Sequence, residues 1–453
     1  MLDNINKIKQ YVLNVKNISP LRIGNGEKEG NGILLYDNHA VINGTTLSGL
    51  FREFLKQYKE KEVYELVFPR VNDEKNEDED NKKISKIYFY DAISQEKIKL
   101  EDLSFRNHIN IDVETGSSVE NHLFNECHIT EGKTFRLFFE IRGLELEEDK
   151  YENLCRYLEQ FICEISKGEI AVGSKTTFGF GRFNAIEHNK LYYKEYDLSI
   201  EKGLDDYLNF NVDSLVLGNL ETKDISKCDC KSNKVKVSLK AYCDEGFIIK
   251  GQQIVEKDKV FDKSYQEYIN LEDMYVIPSS TIKGIVKNYC SKICKTLGKE
   301  DEKIIDNIFG KKTNENDNEK GKKGTMTFED CKIEEGKSQI YNRIKIDRFT
   351  GGVMTGSTFK EQLAVVSENN PVEFNVIVNK KDKKALALII LAFRDIGLGY
   401  VTVGSGNNIG YGRFKGRSIT IDGMDYNKKV IFQDSRLIGN VDEINDIISI
   451  LKE

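Results

Sequence analysis

The chain has 453 residues, 39% of them hydrophobic, with a formal net charge of −7 and a pI of about 5.6. That length accommodates two packed domains. The absence of any 18-residue apolar run excludes a membrane-spanning helix. The opening "MLDNINKIKQYVLNVKN" has neither the apolar centre nor the small-residue cleavage site of a signal peptide, so a cytoplasmic protein without a membrane partner is expected. In that compartment the nine cysteines read as reduced thiols, with Cys155, Cys163, Cys290 and Cys294 in helical text as core residues. Much of the acid lies in "NDEKNEDEDNKK" (72–83) and "NENDNEKGKKG" (314–324), which read as solvated insertions. The negative total therefore does not exclude a nucleic-acid partner.

In chain order, an alternating strand "YVLNVKNI" (11–18) leads through "LRIGNGE" (21–27) to "AVINGTTLSGLFREFLKQY" (40–58). In that stretch the β-branched pair Val41-Ile42 runs into the hydroxyls Thr45-Thr46 at a helix start. A strand "KIYFYDA" (86–92) ends at Asp91, and "RNHINIDVETGSSVENHLFNE" (106–126) forms a long polar insertion. The helical text "ENLCRYLEQFICEIS" precedes a glycine loop, "GSKTTFGFGRF" (173–183). Clear periodicity is then lost over 205–232, which reads as a linker between domains 1–204 and 233–453.

The same order then starts again. "VKVSLKAY" (235–242), "YVIPSSTIKGIVKNYCSKI" (275–293), "GTMTFEDC" (324–331), "YNRIKIDRFTGGVMTGSTFKE" (341–361), "KDKKALALIILAFRDI" and "GSGNNIGYGRF" (404–414) answer the first set, at offsets of 235 residues for the helix start and insertion and 231 for the glycine loop. Within the insertion, Asn107/Asn342, Asp112/Asp347, Thr115-Gly116/Thr350-Gly351, Phe124/Phe359 and Glu126/Glu361 coincide without a gap. An internal duplication is the economical reading. The order of strands and helices is that of a ferredoxin-like split βαβ pattern, twice, in an α+β fold.

A glycine loop between helix and strand lets a backbone approach closely, and its N–H groups suit phosphate oxygens; it equally reads as a tight turn with a solvated arginine. Lys175, Arg182 and Arg413 add cationic donors. In the insertion, Phe124 and Phe359 read either as base-stacking side chains or as core residues. His108, His122 and His128 with Cys127 match no zinc-finger spacing. No phosphate-loop, HExxH or nucleophile-elbow motif is present.

Taken together, "LRIGNGE", "INGTTLSGLFREFL", "VIPSSTIKGIVK", "IDVETG", "IDRFTGG" and "GSKTTFGFGRF" resemble the RAMP superfamily of CRISPR-associated proteins, in particular two backbone subunits of the Cas-seven type of type III effectors, fused in tandem. The resemblance implies two ferredoxin-like (modified RNA-recognition) domains, each with a thumb β-hairpin carrying Asp112, Thr115 and Phe124 in the first copy and Asp347, Thr350 and Phe359 in the second. It implies binding of a CRISPR guide RNA and its complementary target RNA beside other RAMP subunits, with Ser48, Lys175, Arg182, Lys283, Arg348 and Arg413 as RNA-contacting residues. Family members that cut the target use an aspartate after the first strand. Here Glu27 stands at that place, and Asp258 is the fallback in the second half, each a carboxylate able to hold a magnesium ion. The alternatives are a stand-alone two-domain RNA-binding protein and a guide-processing RAMP endoribonuclease using histidine.

Overall fold

A computed structural model describes the chain apart from residues 1–5, 27–31, 59, 70–83, 112–117, 187–188, 212–216, 227–232, 250–267, 270–273, 300, 312–320, 335, 424, 435 and 453. It divides into two compact units, one of residues 1–104, 127–176 and 180–231, the other of 105–126, 177–179 and 232–453. Two short segments of the first sequence repeat thus belong to the second unit. Both units combine helices with antiparallel sheet, an α+β construction.

In the first unit, β1 (Lys7–Asn17) is central. It pairs antiparallel with β2 (Thr134–Arg142) on one side, Tyr11 opposite Phe139, and with β3 (Lys190–Asp197) on the other, Tyr11 opposite Tyr193. The helices α1 (Gly44–Tyr58) and α2 (Glu148–Ser166) pack together through Phe51 and Phe54, whose rings lie 5.1 and 5.6 Å from that of Phe161. The α2 core positions Tyr151, Leu154, Cys155, Leu158, Phe161, Ile162 and Ile165 recur at three- and four-residue steps, which places them on one buried stripe. Across the same helix pair, Tyr58 Oη donates to Glu164 Oε1 at 3.0 Å. The stretch 205–232 holds the end of a helix, Glu201–Leu208, and a strand, Glu221–Asp224, paired with β3.

The second unit repeats this plan. β4 (Lys234–Phe247) is flanked by β5 (Val372–Asn379), Leu239 opposite Phe374, and by β6 (Lys415–Gly423), Leu239 opposite Ile419. Of its helices, α3 (Ser279–Thr296) and α4 (Lys383–Gly397), the second is buried along most of its length and capped by Asp382, whose carboxylate accepts from Ala385 N–H at 3.0 Å. Tyr289 Oη donates to the buried Asp395 at 2.7 Å, as Tyr58 does to Glu164. The seven described cysteines are buried and form no disulfide with one another. Burial pushes the Cys127 and Cys155 thiols up to about 11.

Each repeated glycine loop closes on itself and on the end of the central strand or the segment just after it. Val172 N–H donates to Gly181 O (2.7 Å) and Val403 N–H to Gly412 O (2.9 Å). Gly181 N–H donates to Pro20 O (2.8 Å) and Gly412 N–H to Gly246 O (3.0 Å). Ser174 N–H reaches Arg22 O (2.8 Å) and Ser405 N–H reaches Ile248 O (2.9 Å). At the centre of the closure Gly181 (φ +77°) and Gly412 (φ +74°) leave no room for a Cβ, which would lie 1.9 Å from Val172 O and 2.2 Å from Val403 O. Gly410 (φ +95°) in the same loop has open space around it. Gly410→Ala is therefore expected to cost only the backbone term, ~1–2 kcal/mol. Gly412→Ala should cost ~1–3 kcal/mol more for the forced displacement. Urea unfolding of the two variants checks this, and equal losses would contradict it.

Candidate nucleic-acid interface

The N-terminus of each first helix is held by the acid that ends the neighbouring strand text. Gly44 N–H donates to Asp91 Oδ1 at 2.7 Å, and Ser279 N–H donates to Asp330 Oδ1 at 2.8 Å. A carboxylate there satisfies a helix N–H that has no intrahelical partner and complements the positive end of the helix dipole. Ser48, half-buried, and Lys283 occupy corresponding places one turn further along α1 and α3.

Asp330 carries a second load. Arg106 grips it with both arms, Nη1 to Oδ1 at 3.0 Å and Nη2 to Oδ2 at 2.7 Å, with side chains only 6% and 8% exposed. Burial alone would push the Asp330 carboxyl up. The Arg106 charge, with the hydrogen bonds from Arg106 and Ser279, outweighs that and holds it below the usual carboxylate range. Beside this pair, Ser279 Oγ donates to Phe178 O (2.9 Å), Lys283 Nζ donates to Thr177 Oγ1 (3.0 Å), and the same ammonium lies 4.5 Å above the Phe178 ring. Lys283 thus faces residues 177–178 of the first glycine loop, which belong to the same compact unit.

The insertion of the second repeat is a long β-hairpin, Lys337–Ile346 against Val353–Val366, with Asn342 opposite Lys360. Its tip explains the Asp-x-x-Thr-Gly text. Asp347 Oδ1 accepts from Phe349 N–H and Thr350 N–H at 2.8 Å each, while Gly351 N–H returns to Asp347 O at 2.9 Å. The hydrogen bonds from Thr350 and Phe349 hold the Asp347 carboxyl below its ordinary range. This is an Asx-type turn, in which aspartate substitutes for a backbone acceptor. It projects Phe349, 99% exposed, with the exposed Arg348 beside it. Ile340, Ile344, Ile346 and Val353 are also more than half exposed along the hairpin.

Along the hairpin, Arg343 Nε lies 2.6 Å from Glu361 Oε2, and Arg343 also donates to Tyr411 Oη of the second glycine loop. In the first repeat the positions 235 residues earlier hold His108 and Glu126, again paired, at 3.1 Å. The first insertion likewise forms two paired strands, Leu103–Ile111 and Ser118–Ile129.

Of the residues expected from sequence, Lys175 is half-buried in a left-handed backbone (φ +59°), Arg182 is half-buried, and Arg413 and Arg348 are exposed. The loop N–H groups of Ser174, Gly181, Ser405 and Gly412 are committed to carbonyls of the chain, so in this closure they do not face outward for a phosphate. Glu27, Asp112, Thr115 and Asp258 lie outside the described residues, as do the side chains of Phe124, His122 and Phe359. His128 is buried against Phe180, ring centres 5.1 Å apart. Among the described residues no group of three or more His, Cys, Asp or Glu side chains is placed to hold a metal ion.

Sequence reading passed over Phe349, Arg106 and Arg343. Phe349 has no aromatic counterpart in the first repeat, where Glu114 stands, so the repeat comparison did not favour it. Arg106 and Asp330 are 224 residues apart, and only folding brings them together.

The RAMP superfamily model matches residues 14–184 and 263–415, each match ending just after a glycine loop. The chain belongs to the RAMP superfamily. No curated protein matches it. The two matched regions carry the same construction, so this is a RAMP unit twice over, with a hairpin insertion and a closed glycine loop in each repeat. Among the described residues, no helix of this RAMP protein is long and apolar enough to cross a membrane.

Removing one partner of a buried ion pair strands the other charge. Arg106→Ala should therefore destabilise the second unit by ~3–5 kcal/mol, and Arg106→Met with Asp330→Leu by much less. Because the Asp330 carboxyl is lowered on folding, its contribution is present above the unfolded pKa of about 3.9 and is lost as pH falls below it. Urea unfolding of the full chain between pH 7 and pH 3 should show the wild-type advantage over the double variant shrinking on acidification.

Proposed function

We propose that this tandem RAMP protein is a guide-RNA-binding backbone subunit of a type III CRISPR ribonucleoprotein, holding guide and complementary target RNA alongside other RAMP subunits. In this reading each half is a ferredoxin-like palm, each hairpin is a thumb, and the chain covers two consecutive segments of one guide. The observation that carries it is the second hairpin tip, where a turn built by Asp347 holds Phe349 wholly in solvent next to Arg348. Exposed apolar side chains gathered on one element mark an interaction surface. An aromatic ring on a hydrogen-bonded turn meets a base face at little ordering cost. Arg348 and Arg413 supply sequence-independent phosphate contacts, consistent with specificity left to base pairing.

Base stacking on an aromatic contributes ~1–3 kcal/mol, so Phe349→Ala should weaken binding of guide-paired target RNA by about 5- to 150-fold. Arg348→Gln and Arg413→Gln should weaken it for all sequences alike and reduce the salt slope by about one each. RNA titrations at several salt concentrations read both effects. Unchanged affinity in all three variants would remove the hairpin and loop from the interface.

For cleavage, Glu27 and Asp258 are the proposed carboxylates, each following the segment to which its glycine loop is bonded. When bound, magnesium would supply charge stabilisation at the scissile phosphate. The chain's own contribution would be to hold the ion and place the guide through the neighbouring loop cations. Relative to aspartate, the extra methylene of Glu27 shifts its oxygens by about 1 Å, a displacement that can slow a positioned reaction by about a hundredfold. Cutting of guide-complementary RNA by the reconstituted complex, with intact chain, Glu27→Ala and Asp258→Ala, tests the assignment. Loss of one cut with guide binding intact makes that carboxylate catalytic. Unchanged cuts leave the chain a scaffold, and absence of guide binding overturns the reading.

A further inference from the structure

Side chains alternate between the two faces of the first sheet. Tyr11 and Leu13 of β1 and Leu137 and Phe139 of β2 join Phe51 and Phe161 of the helices in the core. The opposite face therefore carries Gln10, Phe138, Glu140, Lys194 and Tyr196, from β1, β2 and β3. That face is aromatic, yet it is closed to solvent, with Phe138 and Tyr196 only 3% and 2% exposed. The segment after β3, the helix Glu201–Leu208 with Phe210, lies on it. The Phe210 ring is 5.8 Å from that of Phe138, with planes 14° apart. Tyr207 packs edge-on to Tyr196 at 5.4 Å and donates to Glu140 Oε1 at 3.3 Å, while Asp206 Oδ2 lies 3.5 Å from Lys194 Nζ.

We propose that this face is a second RNA site, which takes an unpaired base on Phe138 and the adjoining phosphate at Lys194, and that Phe210 and Asp206 hold those two places in the closed chain. It rests on the RNA-binding reading above and adds a site for single-stranded RNA distinct from the hairpin tip and the glycine loops.

The covering segment carries the two chemical features of a nucleotide, a flat ring and an anion, and sets them on a ring and an ammonium of the sheet. Rings on a sheet face stack unpaired bases of any sequence, and a lysine beside them takes a phosphate. Glu140 does not oppose this, because Gln10 Nε2 at 2.9 Å and the Arg142 guanidinium at 2.7 Å already hold its carboxylate. The cover is light. Its helix buries none of its residues, and Ile200, Leu204 and Leu208 are exposed, as expected of a segment that opens at low cost. Tyr90, edge-on to Phe138 at 4.8 Å, is 36% exposed, so the aromatic row reaches solvent beside the cover. The second sheet is built differently. On the corresponding face β4 presents Lys236, Ser238 and Lys240, and the chain after β6 extends the sheet as the strand Tyr426–Gln433.

A short oligouridine titrated into the full-length chain is the probe. Phe210→Ala with Asp206→Asn empties both places and should tighten oligouridine binding about 5- to 150-fold over wild type, the strength of one base stack. In that opened background Phe138→Leu, which keeps apolar volume without the ring, should remove the gain, and Lys194→Gln should lower the salt slope by about one. In the wild-type chain saturating oligouridine should speed amide exchange over residues 201–210, a readout that needs no variant to fold. An opened chain that binds no better than wild type, a gain that survives Phe138→Leu, or unchanged exchange over 201–210 overturns the site. Guide-paired RNA separates the two readings. If it binds through Phe349 while the opened chain gains nothing for oligouridine, the sheet site alone fails; an oligouridine gain without any binding of guide-paired RNA refutes the proposed function and leaves the site standing.

Discussion

Each half of this protein depends on a place where a side chain is forbidden. At Gly181 and Gly412 the backbone passes so close to the carbonyls of Val172 and Val403 that a single added carbon would overlap them. The positive φ at both positions is a further cost that glycine alone avoids. The loop therefore ties the end of one helix, the start of the following strand and the end of the central strand or the segment just after it into one knot of backbone hydrogen bonds. Lys175, Arg182 and Arg413 are mounted on that knot. The phrase is repeated because the closure is, and the cations inherit their placement from it.

Electrostatics then divides two otherwise matching helix starts. A carboxylate caps both, but only Asp330 is buried, and burial obliges it to find a full counter-charge. Arg106 provides it with two hydrogen bonds in a fixed fork. Such a pair adds little or no net stability over an apolar substitute, yet it penalises any arrangement that separates its members, and so it specifies which segment lies against α3. Asp91, exposed to water, needs no counter-charge to be stable.

The hairpin of the second repeat uses its acidic residue differently again. Asp347 Oδ1 is occupied by the turn it builds, accepting two backbone N–H groups, and so orders the tip. Order at the tip fixes the backbone that carries Phe349, so in the proposed role little backbone freedom is lost on contact. The cross-strand pairs within the hairpins, His108 with Glu126 and Arg343 with Glu361, bridge the two strands at matching positions of each repeat.

The sequence by itself determined the duplication, the helices whose apolar residues recur at helical spacing, and the recurrence of the glycine loop, because these are local properties that a pattern of residues carries directly; which glycine of the loop is obligatory was decided by the close carbonyls of Val172 and Val403. It also showed Asp91 and Asp330 as a matched pair. Which of them is buried, and by what, was decided only in the tertiary structure, since Arg106 lies far away along the chain and a pattern of residues does not encode a contact across 224 positions. The aromatic at the hairpin tip was likewise settled by folding. Phe124 and Phe359 drew attention by coinciding in the repeats, and their side chains lie outside the described residues; Phe349 is exposed because a turn projects the residue at its crest whatever its counterpart in the other repeat.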